Sequence, residues 1–291
     1  MKAQIDDWVN HLRITVSPTT VYSYEHHLRH LDDTAPDRRA EDWTTVQLVN
    51  FIGERRAGGA GEALLKQIVC SYRSFFKWAC ADNSPAKRVP FPKVHRRQQR
   101  TLDSDMALSV MAACDTSSAL GTRDLALVTL MLDCGLRSSE VCRLKLKDLD
   151  LTKRRFKVIV KGGNEEVGTF SRSTAGNLAR WLYVRTQEGA TTETVFASLG
   201  GLKPGTKLTT GGLKVIFRKI GARAGLEAFS PHDLRRTFAT IAIRNGAPTR
   251  IVQAAGRWGD VRMVEHYTQA ITAEDFDRYS PVEALMKREA P

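Results

Sequence analysis

The sequence predicts a mainly α-helical protein with a small β-hairpin or sheet, divided into two domains. Three observations carry this. Apolar residues recur at helical spacing through most of the 291 residues. The pattern changes to alternation in one place, between Arg155 and Phe170. A basic stretch with two prolines interrupts the helical pattern, and a chain of this length is enough for about two domains with separate cores.

The first domain, residues 1–86, reads as all helical. Ile5, Trp8, Val9 and Leu12 form one helical stripe, and Ser17 or Thr19 caps a second helix carrying Val21, Tyr24 and Leu28. Residues 43–52 and 63–78 give two more, the latter with a stripe of Leu64, Ile68, Phe75 and Trp78. Lys66, Arg73 and Lys77 on that last helix suit contact with a polyanion, or else form a solvated face. Residues 87–100, A-K-R-V-P-F-P-K-V-H-R-R-Q-Q-R with the preceding alanine, hold six Lys or Arg and no acid, and read as an extended interdomain linker.

The second domain, residues 101–291, begins with a helix at 105–113 and a buried one at 123–134 that Gly135 ends. Residues 155–160 and 165–170 form a hairpin around K-G-G-N. Amphipathic helices follow at 175–184 and 212–220. Ser230 is a good N-cap and Pro231 suits the first helical position, so a further helix runs from there to Gly246. A short helix at 249–255 and one capped by Asp260 and bearing Tyr267 close the pattern.

A net charge of +12 points to a polyanionic partner, nucleic acid above all, or else to a generally basic surface with no specific partner. No apolar run approaches the roughly 18 residues of a membrane span and the N-terminus lacks a signal-peptide core, so a cytoplasmic protein without a membrane partner is expected. Five scattered cysteines without C-x-x-C spacing indicate neither a disulfide framework nor a zinc site. No cofactor or metal is expected.

The chemistry concentrates between Ser230 and Tyr267. His232 and Arg235 share one face of a first helical turn, where free backbone N–H groups and the helix dipole favour an anion. Arg137, in the turn after Gly135, offers a guanidinium fork suited to two phosphate oxygens, or else pairs with Glu140 across one helical turn. Lys161 lies at the lip of the hairpin, where a lysine is either solvated or functional. Trp258 and Tyr267 bracket the last turn and helix, nine residues apart. Trp258 reads as core packing, Tyr267 as an amphipathic edge residue or a nucleophile.

Together, G-L-R-S-S-E-V at Arg137, V-K-G-G at Lys161, S-P-H-D-L-R-R-T at His232 and Arg235, G-R-W at Trp258, and Tyr267 resemble the tyrosine recombinase (phage integrase) family, in its simple two-domain type. The resemblance covers roughly residue 101 to the C-terminus, and the first domain is similar to the family's core-binding domain in size and helical content. It implies a helical N-terminal core-binding domain plus an α+β tyrosine recombinase catalytic domain. The implied partner is double-stranded DNA at recombination sites, bound by a homo-tetramer on two sites, with an accessory directionality factor as a possible helper. The implied reaction cleaves and rejoins duplex DNA through a 3′-phosphotyrosyl intermediate, as an integrase of a phage or mobile element. The alternatives are a Xer-type resolvase, a type IB topoisomerase, and a catalytically silent DNA-binding protein of the same fold.

By the same resemblance, Arg137 and Arg235 hold the scissile phosphate, and His232 and Trp258 assist at its oxygens. Lys161 protonates the leaving 5′-hydroxyl and Tyr267 is the nucleophile. Glu140 orients Arg137. Three departures stand out: E-E-V-G-T-F lacks the basic residue and proline that often follow the family's turn, Arg257 replaces a usual glycine, and Tyr279 competes with Tyr267. The spacing from Trp258 favours Tyr267. The apolar tail V-E-A-L-M-K resembles tails that, in relatives, dock into a neighbouring protomer.

Overall fold

The computed structural model describes residues 1–93, 100–160, 163–200 and 203–268, with the backbone alone for 266–268. The hairpin lip with Lys161, residues 94–99 of the basic stretch, Tyr279 and the apolar tail lie outside the described residues. The chain divides into two compact units, Met1–Arg97 and Gln98–Pro291. Each has its own apolar core. Among the described residues no helix is long and apolar enough to cross a membrane.

The first unit packs α1 (Lys2–Thr15), α2 (Pro18–Asp32), α3 (Thr45–Ala57) and α4 (Glu62–Cys80). Ser17 begins α2, its hydroxyl accepting from the Thr20 N–H at 3.4 Å with Pro18 in the first helical position. Thr44 and Gln47 cap α3 reciprocally, at 3.0 and 3.3 Å. Trp8 stacks on Tyr24 and meets Phe75 edge-on, with ring centres 6.1 and 5.4 Å apart.

The buried face of α4 differs from the expected stripe. Ile68 and Phe75 are buried as predicted, but Leu65, Val69, Tyr72 and Phe76 complete the core side, while Leu64 is 36% and Trp78 41% exposed. So many apolar residues occupy this helix that two stripes fit it. The crowded one wins because it buries more surface.

The first core also extends past residue 86. A 3-10 turn at Pro85–Arg88 leads to Val89, which is buried among the α4 residues. Arg73 donates to the Val89 carbonyl at 2.7 Å and lies 4.2 Å from the Phe91 ring centre. It therefore secures the exit of the chain, whereas Lys66 and Lys77 are exposed.

In the second unit, α5 (Ser104–Ala112) precedes α6 (Ala119–Cys134), which packs between later helices and buries most of its residues. Then come α7 (Ser138–Arg143) and a three-stranded antiparallel sheet in the order β1 (Leu149–Asp150), β2 (Arg155–Ile159), β3 (Glu165–Thr169). The two-residue β1 has too few residues to show an alternation, so the sequence reading missed it. Phe156 and Val158 alternate into the core, and Gly168 pairs with Phe156 because a Cβ there would approach its ring to 2.2 Å. Five helices follow: α8 (Arg172–Gln187), α9 (Thr210–Arg223), α10 (Pro231–Arg244), α11 (Thr249–Ala255) and α12 (Arg262–Thr268). α6 packs against α8 and α10, and α10 against α12.

The phase of α4 is open to a direct check by urea denaturation. Leu65→Ala should lower stability by about 2–5 kcal/mol, because it empties a fully buried site. Leu64→Ala should cost under about 1 kcal/mol. Equal losses would contradict the burial of α4.

Candidate active site

The site is built around the C-terminal end of α6. Gly135 ends the helix in the left-handed conformation, φ +58°, where a Cβ would also strike the Phe238 ring at 2.5 Å. The turn brings Arg137 to the N-cap of α7. Glu140 grips Arg137 twice: one carboxylate oxygen accepts the Arg137 backbone N–H at 2.9 Å, the other its guanidinium at 2.7 Å. The Arg137 side chain is 35% exposed while the Glu140 side chain is buried. The pairing of Arg137 with Glu140 is therefore present. The ion pair orients the guanidinium and leaves donors available.

Ser230 starts α10, and Asp233 secures that start by accepting from the Ser230 backbone N–H at 2.8 Å and its hydroxyl at 3.0 Å. The S-x-x-D spacing already carried this signal, a relative of the capping box. Arg235 is buried, donates to the Gly135 carbonyl, and places its guanidinium carbon 4.3 Å from the Trp258 ring centre. Trp258 in turn stacks on Phe238 at 6.1 Å and belongs to a small core with Ala239, Val252 and Val264. Core packing is thus part of what Trp258 does, and supporting Arg235 is another part.

His232 stands on the exposed side of the first turn of α10. Partial desolvation and the neighbouring charges of Arg236, Arg235 and Arg137 hold its pKa below the ordinary histidine value, with Asp233 acting the other way. The Arg137 and Arg235 positions are therefore joined electrostatically at His232, from segments about a hundred residues apart along the chain. Among the described residues, four guanidiniums gather here, those of Arg137, Arg235, Arg236 and Arg257. Two carboxylates, Glu140 and Asp233, contact them directly. Such a cluster of guanidiniums suits an anion.

Arg257 was noted in the sequence only as a replacement for glycine. It is 6% exposed at φ +56°, a conformation that costs an L residue roughly 1–2 kcal/mol. Its guanidinium donates to the carbonyls of Ala255 and Cys134, both at 2.8 Å. Its own carbonyl accepts from Arg137 at 3.2 Å. No local pattern announces Cys134 and Arg137, which lie some 120 residues upstream.

The remaining expected residues are placed less fully. Tyr267 lies on α12, which Asp260 helps to start by accepting the Arg262 N–H at 2.9 Å; the Tyr267 side chain is outside the described residues, as is Lys161. The strands flanking Lys161 form the expected hairpin, with Val160 N–H donating to the Asn164 carbonyl at 2.9 Å. Cys114, Cys134 and Cys142 are buried free thiols, and burial pushes Cys114 up to about 12 and Cys142 up to about 11, so neither offers a thiolate nucleophile at neutral pH. Among the described residues no group of three or more His, Cys, Asp or Glu side chains gathers as a metal site.

Comparison with known proteins agrees with this arrangement of a helical unit followed by an arginine-lined α+β unit. Residues 100–274 match the phage integrase family, and residues 5–83 match the phage integrase N-terminal SAM-like domain. The chain belongs to the phage integrase family. It is 30% identical over 276 residues to the tyrosine recombinase XerC of Corynebacterium efficiens, covering 92% of this chain and 87% of that protein. The tyrosine recombinase XerC of Escherichia coli K12 is 28% identical over 261 residues, covering 87% and 86%. In fold, the chain is similar to a lambda integrase dimer bound to a COC′ core site, with TM-score 0.73 at 18% identity over 94% of this chain and 78% of that one. It is likewise similar to the XerH recombinase bound to a palindromic difH substrate, with TM-score 0.71 at 18% identity over 97% and 85%.

The electrostatics of His232 can be measured by NMR titration. Its imidazole should titrate below about 6.5, the ordinary value, and Arg236→Gln should move it upward. Because the folded value is the depressed one, protonation disfavours folding, so this residue's contribution is lost as pH falls below about 6.5. A His232 that titrates identically in both proteins would refute the charge assignment.

Proposed function

We propose that the chain is a site-specific DNA recombinase that cuts and rejoins duplex DNA through Tyr267, with Arg137 and Arg235 as the phosphate clamp. The observation that carries this reading is the convergence of those two guanidiniums, with His232, around the end of α6. Membership of the phage integrase family supports it.

In the first step the Tyr267 phenolic oxygen attacks the scissile phosphorus. A P–O bond to Tyr267 forms, the P–O5′ bond breaks, and the 5′-hydroxyl leaves with a proton from Lys161. A free tyrosine has a pKa of about 10, so only about one in a thousand is ionised at neutral pH, and a cationic surrounding favours the reactive form. Arg137 and Arg235 neutralise charge growing on the non-bridging oxygens, and His232 donates to or exchanges a proton with the same phosphate. Trp258 backs Arg235. A 5′-hydroxyl from a second site then attacks the phosphotyrosine and releases Tyr267. The ester retains the energy of the broken bond, so the reaction draws on no nucleotide hydrolysis.

The assembly that fits this chemistry is a homo-tetramer on two duplex sites, acting in the cytoplasm, where an accessory directionality factor can bias the outcome. Between the two roles the sequence left open, the XerC relatives favour a Xer-type recombinase over an integrase of a phage or mobile element.

A nicked suicide substrate, which loses the attacking 5′-hydroxyl after cleavage, tests the proposal. The unmodified protein should accumulate a covalent protein–DNA adduct, and Tyr267→Phe should form none while still binding the DNA. Arg137→Ala should slow adduct formation by about 10²–10³-fold. Binding without any adduct in the unmodified protein would favour the silent DNA-binding alternative, and relaxation of supercoiled DNA without strand exchange would favour a topoisomerase.

A further inference from the structure

We propose that Arg257 is a positioning residue for Arg137, setting the plane of the phosphate-binding guanidinium from behind. The inference rests on the recombinase reading for its link to catalysis, though the geometry stands by itself. Arg137 has two acceptors on opposite branches of its fork: Glu140 takes Nη1 at 2.7 Å, and the Arg257 carbonyl takes Nη2 at 3.2 Å. One acceptor would leave the fork free to turn about that contact. Two fix its plane and thereby the direction of the donors that remain.

That second acceptor is aimed by a strained turn. Arg257 has φ +56°, and a side chain in this conformation persists when its surroundings over-determine it. The Arg257 guanidinium provides the determination. It donates to Ala255 within its own turn and to Cys134 at the end of α6, and it lies 5.4 Å from the Phe156 ring centre on β2. Its Nε lies 3.8 Å from the Glu140 carboxylate, so the same side chain also backs the residue that grips Nη1 of Arg137. One side chain thus governs both anchors of Arg137. It also ties the turn before Trp258 to the end of α6. A lysine has one charged nitrogen and cannot span the two carbonyls with a planar fork.

A purely structural role would hold the C-terminal turn and act on cleavage regardless of Arg137. A positioning role acts through Arg137, and the two separate in a double-mutant cycle. Arg257→Gln should slow single-turnover adduct formation on saturating nicked DNA about tenfold or more, with DNA affinity within about twofold. In an Arg137→Ala background the same change should have little further effect. An unchanged rate for Arg257→Gln, or an equal fold-loss in both backgrounds, would overturn the proposal. If Arg257→Gln lowers Tm so far that it does not fold, Arg257→Lys gives the same comparison with the buried charge kept. A second measurement does not need cleavage. In ¹⁵N-arginine spectra the Arg137 Nη groups should show slow rotation in the unmodified protein and averaged signals in either Arg257 variant. Unaveraged signals in the variants would sink the proposal, whereas an inactive unmodified protein would defeat the recombinase reading and leave this measurement standing.

Discussion

The carbonyl-rich end of α6 is what allows several arginines to occupy one small region. A helix C-terminus exposes acceptors without intrahelical donors and carries the negative end of the helix dipole. Here the Cys134 carbonyl takes Arg257 and the Gly135 carbonyl takes Arg235, while Arg137 follows within the next turn. The left-handed Gly135 makes that turn possible. Glu140 then adds a buried carboxylate beneath Arg137. Backbone carbonyls and the Glu140 carboxylate contact these guanidiniums, and their clustering suits a phosphodiester.

This arrangement explains why the neighbouring elements are placed as they are. α10 must start beside α6 for Arg235 to reach Gly135, and the Ser230–Asp233 cap fixes where it starts. Trp258 fills the space over Arg235 and joins α11 and α12 to α10 through a small core. The sheet lies on the other side of Arg257 through Phe156. Catalytic geometry in such a site is a matter of holding charged groups within a fraction of an ångström, and each of these contacts narrows the freedom of one of them.

Much of this was legible in the sequence because the signals were local. Ser230 and Pro231 announce a helix start, Gly135 a helix end, and the alternation of residues 155–170 a hairpin, each through backbone chemistry within a few residues. The tertiary consequences were harder to read. α4 carries enough apolar residues for two stripes, so Leu64 and Trp78 were placed on the buried side that Leu65 and Phe76 take. Arg73 was read as a basic surface residue, but its partner, the Val89 carbonyl, lies beyond the expected domain end. Arg257 showed only as a departure from glycine, because its function depends on a positive φ and on acceptors supplied by α6. Motif and cap chemistry point to Arg137, His232, Arg235 and Trp258, whereas the contacts of Arg257 arise only in the folded chain.

In the proposed reaction Arg137 and Arg235, brought together at the end of α6, hold one phosphate between them. The most direct measurement is a crystal structure of Tyr267→Phe bound to an uncleaved recombination site. Non-bridging oxygens of a single phosphate should lie about 2.7–3.1 Å from nitrogens of both guanidiniums, with the Arg137–Glu140 pair intact. A phosphate held by only one of them, or reached by Arg137 only after it leaves Glu140, would contradict it.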